Sequence, residues 1–330
     1  MSMPQHFARQ IIPILFGIPV LFDLTLMAQS QPSASLLQVY AQREQNAPAA
    51  IKAKLQNLRG VISERRLGFE VAYTKALDIN LDNLAGTRIP SNLAALAQKQ
   101  NAVARELLLK IGPQATSVCS ASVPTFSLKD NMKVSDVQNQ GSCGACWAFS
   151  AIGAYESSYL IRNPGQPNAS EQQALNCSKA GSCKGGWYGP VFDWMKAPGD
   201  AARSVVPYTG VQAKCNKSAP GLYKTVIWGF VKDMGTIPAV PEMKQAMCAH
   251  GAISVTVRAT ALFQAYKSGV FDESDSGPIN HAVVLVGWDD SRQAWLLKNS
   301  WSTDWGMDGY MWIKYTSNSV GYAAAWVDSQ

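Results

Sequence analysis

Hydrophobic and polar positions along the chain fall into four regimes. Residues 11–22 form an apolar run behind Arg9, interrupted by Pro13 and Pro19 and followed by Asp23. A bilayer span needs about 20 predominantly apolar residues, so this shorter run predicts a secretory signal peptide over residues 1–28, cut around 28–34. Residues 33–111 are rich in Ala, Leu, Gln and Lys/Arg, and short helices are expected around 35–46, 49–59 and 62–77. A longer helix is expected in SNLAALAQKQNAVARELLLK, where Leu93, Leu96, Val103 and Leu107 recur at near-helical spacing. Ser91 is its expected cap and Gly112-Pro113 its expected stop. The segment 144–161, GACWAFSAIGAYESSYLI, is apolar on nearly every face, which predicts a buried central helix. After about residue 221 the period shortens to two. TVIWGFVKD, ISVTVRA, HAVVLVGW, AWLLKNSW and GYMWIKY read as antiparallel strands with one buried face. A mainly helical half thus precedes a mainly β half, with a cleft between them, and the small polar stretch 113–124 reads as a linker and processing zone.

Composition narrows the picture. The chain has 330 residues, a hydrophobic fraction of 47% and 10 Trp, enough for a substantial core. The formal charge of +6 is uneven: 12 Lys/Arg face 7 Asp/Glu in residues 1–115, and 17 face 16 in residues 116–330. The larger part therefore lacks the basic excess of a nucleic-acid binder. Its seven cysteines all fall at or after Cys119. With Cys146 set aside six remain, an even number that suits disulfides in an oxidising compartment, although spacing alone leaves fifteen pairings open. No HExxH, paired CxxC or phosphate-binding glycine loop is present, so no metal or other cofactor is expected.

The candidate chemistry centres on residues 138–150, QNQGSCGACWAFS. Cys146 lies where a glycine-rich turn becomes the first turn of a helix. The unpaired N–H groups and the positive dipole end there favour a thiolate. A thiolate attacking a peptide needs a proton donor for the leaving amine, which histidine supplies. Of three histidines, His6 lies in the signal and His250 (AMCAHGAIS) ends a helix in a structural role. His281 heads the strand HAVVLVGW, where it projects into a cleft. In KNSWSTDWGMDGY, Asn299 can hold one imidazole tautomer and Trp301 can cover that bond and exclude water.

The CGACW sequence, with His281 135 residues and Asn299 153 residues downstream of Cys146, resembles the papain-like (cathepsin-type) cysteine proteases over residues 120–330. The resemblance implies an α+β, two-lobed fold: a helical left lobe with a central helix, an antiparallel β-barrel-like right lobe, and a helical propeptide ahead of them. It assigns residues 29–115 to that propeptide, an intramolecular inhibitor, and 116–330 to the protease domain. Gln140 and the Cys146 backbone N–H become the oxyanion donors. Cys143–Cys183 and Cys177–Cys215 become disulfides, and the remaining Cys119 and Cys248 are expected to form a third, non-standard bridge. In CKGGWYG, Gly185 and Gly186 let an extended substrate backbone approach. Trp187 walls the pocket for the second side chain upstream of the cut and Ala325 floors it, with Thr256, Ile279 and Ala282 as further lining. An apolar residue is expected there and arginine is disfavoured.

The chain also departs from the family. The leader lacks the ERFNIN-type pattern, Val320 stands where a cysteine is common, Ser302 replaces the glycine after NSW, and SLK at 127–129 replaces a DWR-like motif. No histidine-rich insertion blocks the cleft, so endopeptidase action is expected. The sequons at Asn168, Asn176 and Asn216 carry little weight. The expected product is a monomeric enzyme, secreted or in another oxidising compartment (periplasm or lysosome-like), acting on polypeptides and not on nucleic acid or membranes. Two alternatives stand beside it: a Cys-His acyltransferase of transglutaminase type, and a binding protein on a protease fold that keeps its propeptide.

Overall fold

The computed structural model describes residues 31–112 and 117–330. The signal peptide with His6, and the first residues of the processing zone, lie outside the described residues. In chain order, α1 (Ala34–Gln45), α2 (Ala49–Arg65), β1 (Phe69–Val71), the short α3 (Leu81–Leu84) and α4 (Leu93–Ile111) come first. Then follow β2 (Thr125–Ser127), α5 (Cys146–Arg162), α6 (Glu171–Cys177), β3 (Gly181–Ser182), β4 (Gly185–Gly186) and α7 (Gly189–Lys196). The β-rich part holds β5 (Thr225–Phe230), α8 (Val240–His250), β6 (Ile253–Val257), α9 (Ala261–Ala265) and β7 (Tyr266–Phe271). It closes with β8 (His281–Asp289), β9 (Ala294–Lys298), β10 (Tyr310–Lys314) and β11 (Tyr322–Ser329). This is the expected α+β, two-lobed arrangement, with helices around α5 in one lobe and a sheet in the other.

The sheet runs β1-β7-β10-β9-β8-β6-β11-β5, with β2 added to β8. The pairing is not wholly antiparallel as the patterning implied: β7 and β10 run parallel. Nor do all strands have one wet face, since all nine residues of β8 are buried. The reason is α5. Its Ser150 hydroxyl donates to the Val283 carbonyl, the Ser254 hydroxyl donates back to the Ser150 carbonyl, and Gly153 lets the helix sit close to Val284. Fourteen of the 17 residues of α5 are buried, so it is covered on nearly all sides. A buried ion network ties the lobes together. Arg203 pairs with Glu171 at 2.8 Å and approaches Glu156 at 3.7 Å, while Lys298 at the end of β9 donates to the Ser135 carbonyl.

Three bridges join Cys119–Cys248, Cys143–Cys183 and Cys177–Cys215, leaving Cys146 as the free thiol. His250 ends α8, where it stacks on Trp326 with centroids 3.8 Å apart and bonds Asp328.

The N-terminal region differs from its patterning in three ways. No helix spans 62–77. Instead α2 continues through Arg65, Arg66 turns left-handed at φ 54°, and residues 69–71 pair with β7, whose open edge outweighs local helix propensity. Ser91 does not cap α4; Asn92 stands at that position and makes no side-chain cap bond. The buried face of α4 is Leu93, Ala97, Asn101 and Ala104, whereas Leu96 and Val103 are 36% and 47% exposed. The partner is a strand edge, which admits small and amide side chains where a core would take leucines.

Candidate active site

Cys146 opens α5, and the loop before it is fixed from three directions. The Cys143–Cys183 bridge, the Gly144 N–H on the Cys183 carbonyl and the Ala145 N–H on the Cys143 carbonyl leave it little freedom. Ala145, at the cap position, offers no side-chain acceptor, so the first-turn N–H groups of α5 stay available near the sulfur. Burial pushes the Cys146 thiol up from its ordinary value. The Thr87 hydroxyl and the backbone N–H groups of Ala282, Gly86 and Trp147 act against this. The Ala282 contact places the head of β8 against the start of α5.

His281 is the first residue of β8, paired with Val257 of β6. Its Nε2 lies 2.8 Å from Asn299 Oδ1. That same oxygen accepts the Ser300 backbone N–H at 2.8 Å, which fixes the amide orientation. Nε2 is therefore the protonated nitrogen, and Nδ1, which has no hydrogen-bond partner among the described residues, carries the lone pair. Trp301 stacks on the imidazole at 4.6 Å between centroids, and Phe263 meets both rings edge-on. Burial depresses the imidazole pKa to about 4, and only the Asn299 bond opposes it. Thiol and imidazole are therefore both held neutral in this closed state.

Gln140 is fully buried and oriented by its neighbours. Its Oε1 accepts the Ser300 hydroxyl at 2.7 Å, while Tyr208 donates to its backbone carbonyl at 2.9 Å. The Nε2 group thus faces the cleft, where it donates to the Leu84 carbonyl and to the Cys143 carbonyl, both at 2.9 Å.

Residues 84–90 thread the cleft. The Gly186 N–H donates to the Gly86 carbonyl at 2.8 Å, and the Arg88 N–H donates to the Gly186 carbonyl at 2.9 Å. Together they form a parallel bridge at Thr87–Gly186. The Thr87 hydroxyl rests 3.4 Å from Cys146 Sγ, and its N–H donates to the Asn280 carbonyl. Gly86 is required by space, because a Cβ there would overlap the Gly144 carbonyl. Patterning did not single out this segment. Its one signal was a Gly in LDNLAGTRIP, between helices and ahead of Pro90. Ser300 and Tyr208 were missed as well, although Ser300 stands inside the NSW motif.

Around Gly186, Trp187, Ala282 and Ala325 belong to one buried apolar cluster, against which Ile89 packs. Thr256 is buried and spends its hydroxyl on the Tyr322 carbonyl. Ile279 is half-buried in the segment before β8. Gly185 has φ 119°, and a Cβ there would meet Gly86 and Arg88, so the closest approach of the two backbones depends on it.

Known proteins resemble this chain in sequence and in fold. The papain family cysteine protease model matches residues 123–328. The chain is similar to pro-cathepsin H of Bos taurus, 31% identical over 288 residues that cover 83% of this chain and 81% of the relative. It is also similar to thiol protease aleurain of Arabidopsis thaliana, 34% identical over 62% of this chain and 60% of the relative. Among solved structures, the bromelain protease from Ananas comosus in complex with the E64 inhibitor is 31% identical, with a TM-score of 0.57, over 62% of this chain and 99% of that one. Digestive procathepsin L 3 of Tenebrio molitor larval midgut shares the fold at 21% identity and a TM-score of 0.67, covering 93% of this chain and 97% of that one. With the family model spanning residues 123–328 and 31% identity to pro-cathepsin H over 83% of its length, the chain belongs to the papain family of cysteine proteases.

Proposed function

We propose that the chain is the zymogen of a secreted endopeptidase that hydrolyses polypeptides through a thioester on Cys146. The observation that carries this reading is the position of the Leu84 carbonyl, which accepts from Gln140 where a substrate oxyanion would sit. Residues 29–115 are the prosegment. Its segment 86–88 runs parallel to Gly186, so the chain direction and the Thr87 contact present no scissile bond to the sulfur.

Once the prosegment leaves, water re-enters, which favours the charged forms of both Cys146 and His281. The Cys146 sulfur attacks the substrate carbonyl carbon, and the oxyanion is held by Gln140 Nε2–H and the Cys146 N–H. His281 gives its proton to the leaving amine, and Asn299 keeps the ring in register. Water, activated by the same imidazole, then cleaves the thioester and restores the thiolate. The apolar cluster of Trp187, Ala282 and Ala325 supports an apolar preference two residues upstream of the cut. A peptide library with strict arginine preference there contradicts it.

The test is hydrolysis of an end-blocked peptide by the processed chain in ¹⁸O-labelled water, with a competing amine present. The expected product is an internal cut whose new carboxylate carries the label. Transfer to the amine alone identifies an acyltransferase, and a processed chain with neither product is a binding protein.

A further inference from the structure

The helix α4 occupies a surface outside the catalytic cleft. It lies along β5, the last strand of the sheet, and masks that strand's outer edge with side chains instead of a strand. Asn101 acts as a peptide-group surrogate: its Oδ1 accepts the Phe230 N–H at 2.7 Å and its Nδ2 donates to the Phe230 carbonyl at 3.0 Å. Gln100 Nε2 donates to the Trp228 carbonyl at 2.6 Å. Residues 228 and 230 thus turn their backbone polar groups outward, two apart, in the spacing by which a strand edge accepts another strand. Beside them is a trough of about 280 Å³, walled by Trp187, Pro190, Trp228 and Phe230 on one side and by α4 on the other.

The trough is continuous with the substrate-binding backbone. Trp187 directly follows Gly186, and the Gly189 position touches both Trp187 and Trp228. Trp228 is itself held by its indole N–H on Asp193. The prosegment makes the same journey, pairing with Gly186 through Gly86 and Arg88 and reaching the start of α4 five residues after Arg88.

We infer that the β5 edge and the apolar wall of Trp187, Pro190, Trp228 and Phe230 beside it form an extended subsite of the mature enzyme. It takes the upstream part of a long polypeptide substrate, in strand form, by pairing with the backbone of Trp228 and Phe230. The inference rests on the proteolysis reading above. When α4 leaves, the Phe230 N–H and the Trp228 and Phe230 carbonyls lose their amide partners. An extended backbone restores them, and its apolar side chains can cover the wall of Trp187, Pro190, Trp228 and Phe230 that remains. Selectivity there is for length and for unblocked backbone N–H groups more than for particular side chains.

The test compares two fluorogenic peptides with identical residues around the cut, using enzyme matured from the full chain. One ends at the residue that pairs with Gly186; the other continues eight residues upstream, a reach of roughly 26 Å. The long peptide is expected to have a kcat/KM higher by about tenfold or more, mainly through KM. N-methylation scanned along the eight added residues is expected to remove the gain at alternate positions, a period of two that no general effect on folding produces. Phe230→Pro, which deletes the outward N–H at a position where an edge strand tolerates proline, erases the same gain. Equal kcat/KM for the two peptides overturns the subsite while leaving the protease reading intact. The same holds if a fragment of residues 91–112 stays bound to the mature enzyme and length has no effect. Absence of turnover of both peptides defeats the protease reading, and the subsite with it.

Discussion

Gln140, Gly86 and Ser302 each carry a separate physical load. Replacing Gln140 by Ala removes one donor to the developing oxyanion, and kcat of the processed enzyme is expected to fall by about 10²–10³-fold with KM little changed. Gly86→Val puts a side chain where the Gly144 carbonyl already lies. The unprocessed chain is then expected to show peptidase activity, and a fully silent Gly86→Val zymogen argues against the cleft-filling role. Ser302 stands at φ 72°, a left-handed conformation that costs a residue with a Cβ about 1–2 kcal/mol. Ser302→Gly is expected to raise the stability by about 1 kcal/mol, read as an increase in Tm, and an unchanged or lowered Tm contradicts this. At this scale the candidate site residues Cys146, His281, Asn299 and Gln140 were legible in the sequence because they come in motifs with fixed spacing. Leu84 was not, because it acts through a carbonyl, which leaves no mark in residue identity, and Thr87 was not, because its hydroxyl meets Cys146 only through the path of the backbone across the cleft.

Among the elements, α5 could be read because burial on all sides demands an unbroken apolar run, and the later strands because of their period-two patterning, although β8 is buried on both faces and not on one. α4 misled for the opposite reason. Its Leu96 and Val103 suggested an apolar stripe, but the strand edge it covers needs hydrogen bonds, which Asn101 and Gln100 supply. Asn101→Leu leaves the buried Phe230 N–H without its acceptor, at a cost of about 1–3 kcal/mol. Hydrogen exchange of the zymogen is expected to speed up at residues 228–230 and along α4 while α5 stays protected. Unchanged protection at Phe230 refutes the surrogate-strand description. The second helix and β1 show the same limit. Residues 69–71 are a strand only because β7 offers an open edge, and that partner lies about 200 residues away in sequence.

Across the whole molecule, the prosegment grips both lobes and crosses the cleft between them. On the sheet lobe β1 pairs with β7, Tyr40 donates to the Gly306 carbonyl and α4 covers β5 at the far edge; on the helical lobe the Arg88 N–H donates to the Gly186 carbonyl. Closure also sets the pH response. Burial holds the His281 imidazole down at about 4 in the closed state, so on opening it takes up a proton, while the Cys146 thiol, pushed up by the same burial, gives one up, and in the native chain the two offset. In a Cys146→Ala chain, which has no thiol to ionise, only the imidazole uptake remains, and opening is favoured as pH falls from about 6.5 to 4, by up to about 3 kcal/mol. Glu156 acts on the fold in the protective sense. Burial and Glu171 raise its pKa to about 7 from 4.5, so the folded state binds the extra proton and gains stability as pH falls through that window. Exposure of the cleft in the folded Cys146→Ala chain, read by hydrogen exchange at residues 84–90, is therefore expected to rise from pH 6.5 to 4, and a flat response contradicts the His281 linkage. The most direct test of the central claim is alkylation of Cys146 by an epoxide-type thiol reagent, followed by mass, on the full chain and on the same chain after removal of residues 29–115. Stoichiometric labelling of Cys146 after removal, faster than in the zymogen by on the order of 100-fold, is the expected result. Equal rates in both forms, or no labelling of Cys146 in the processed form, contradict it.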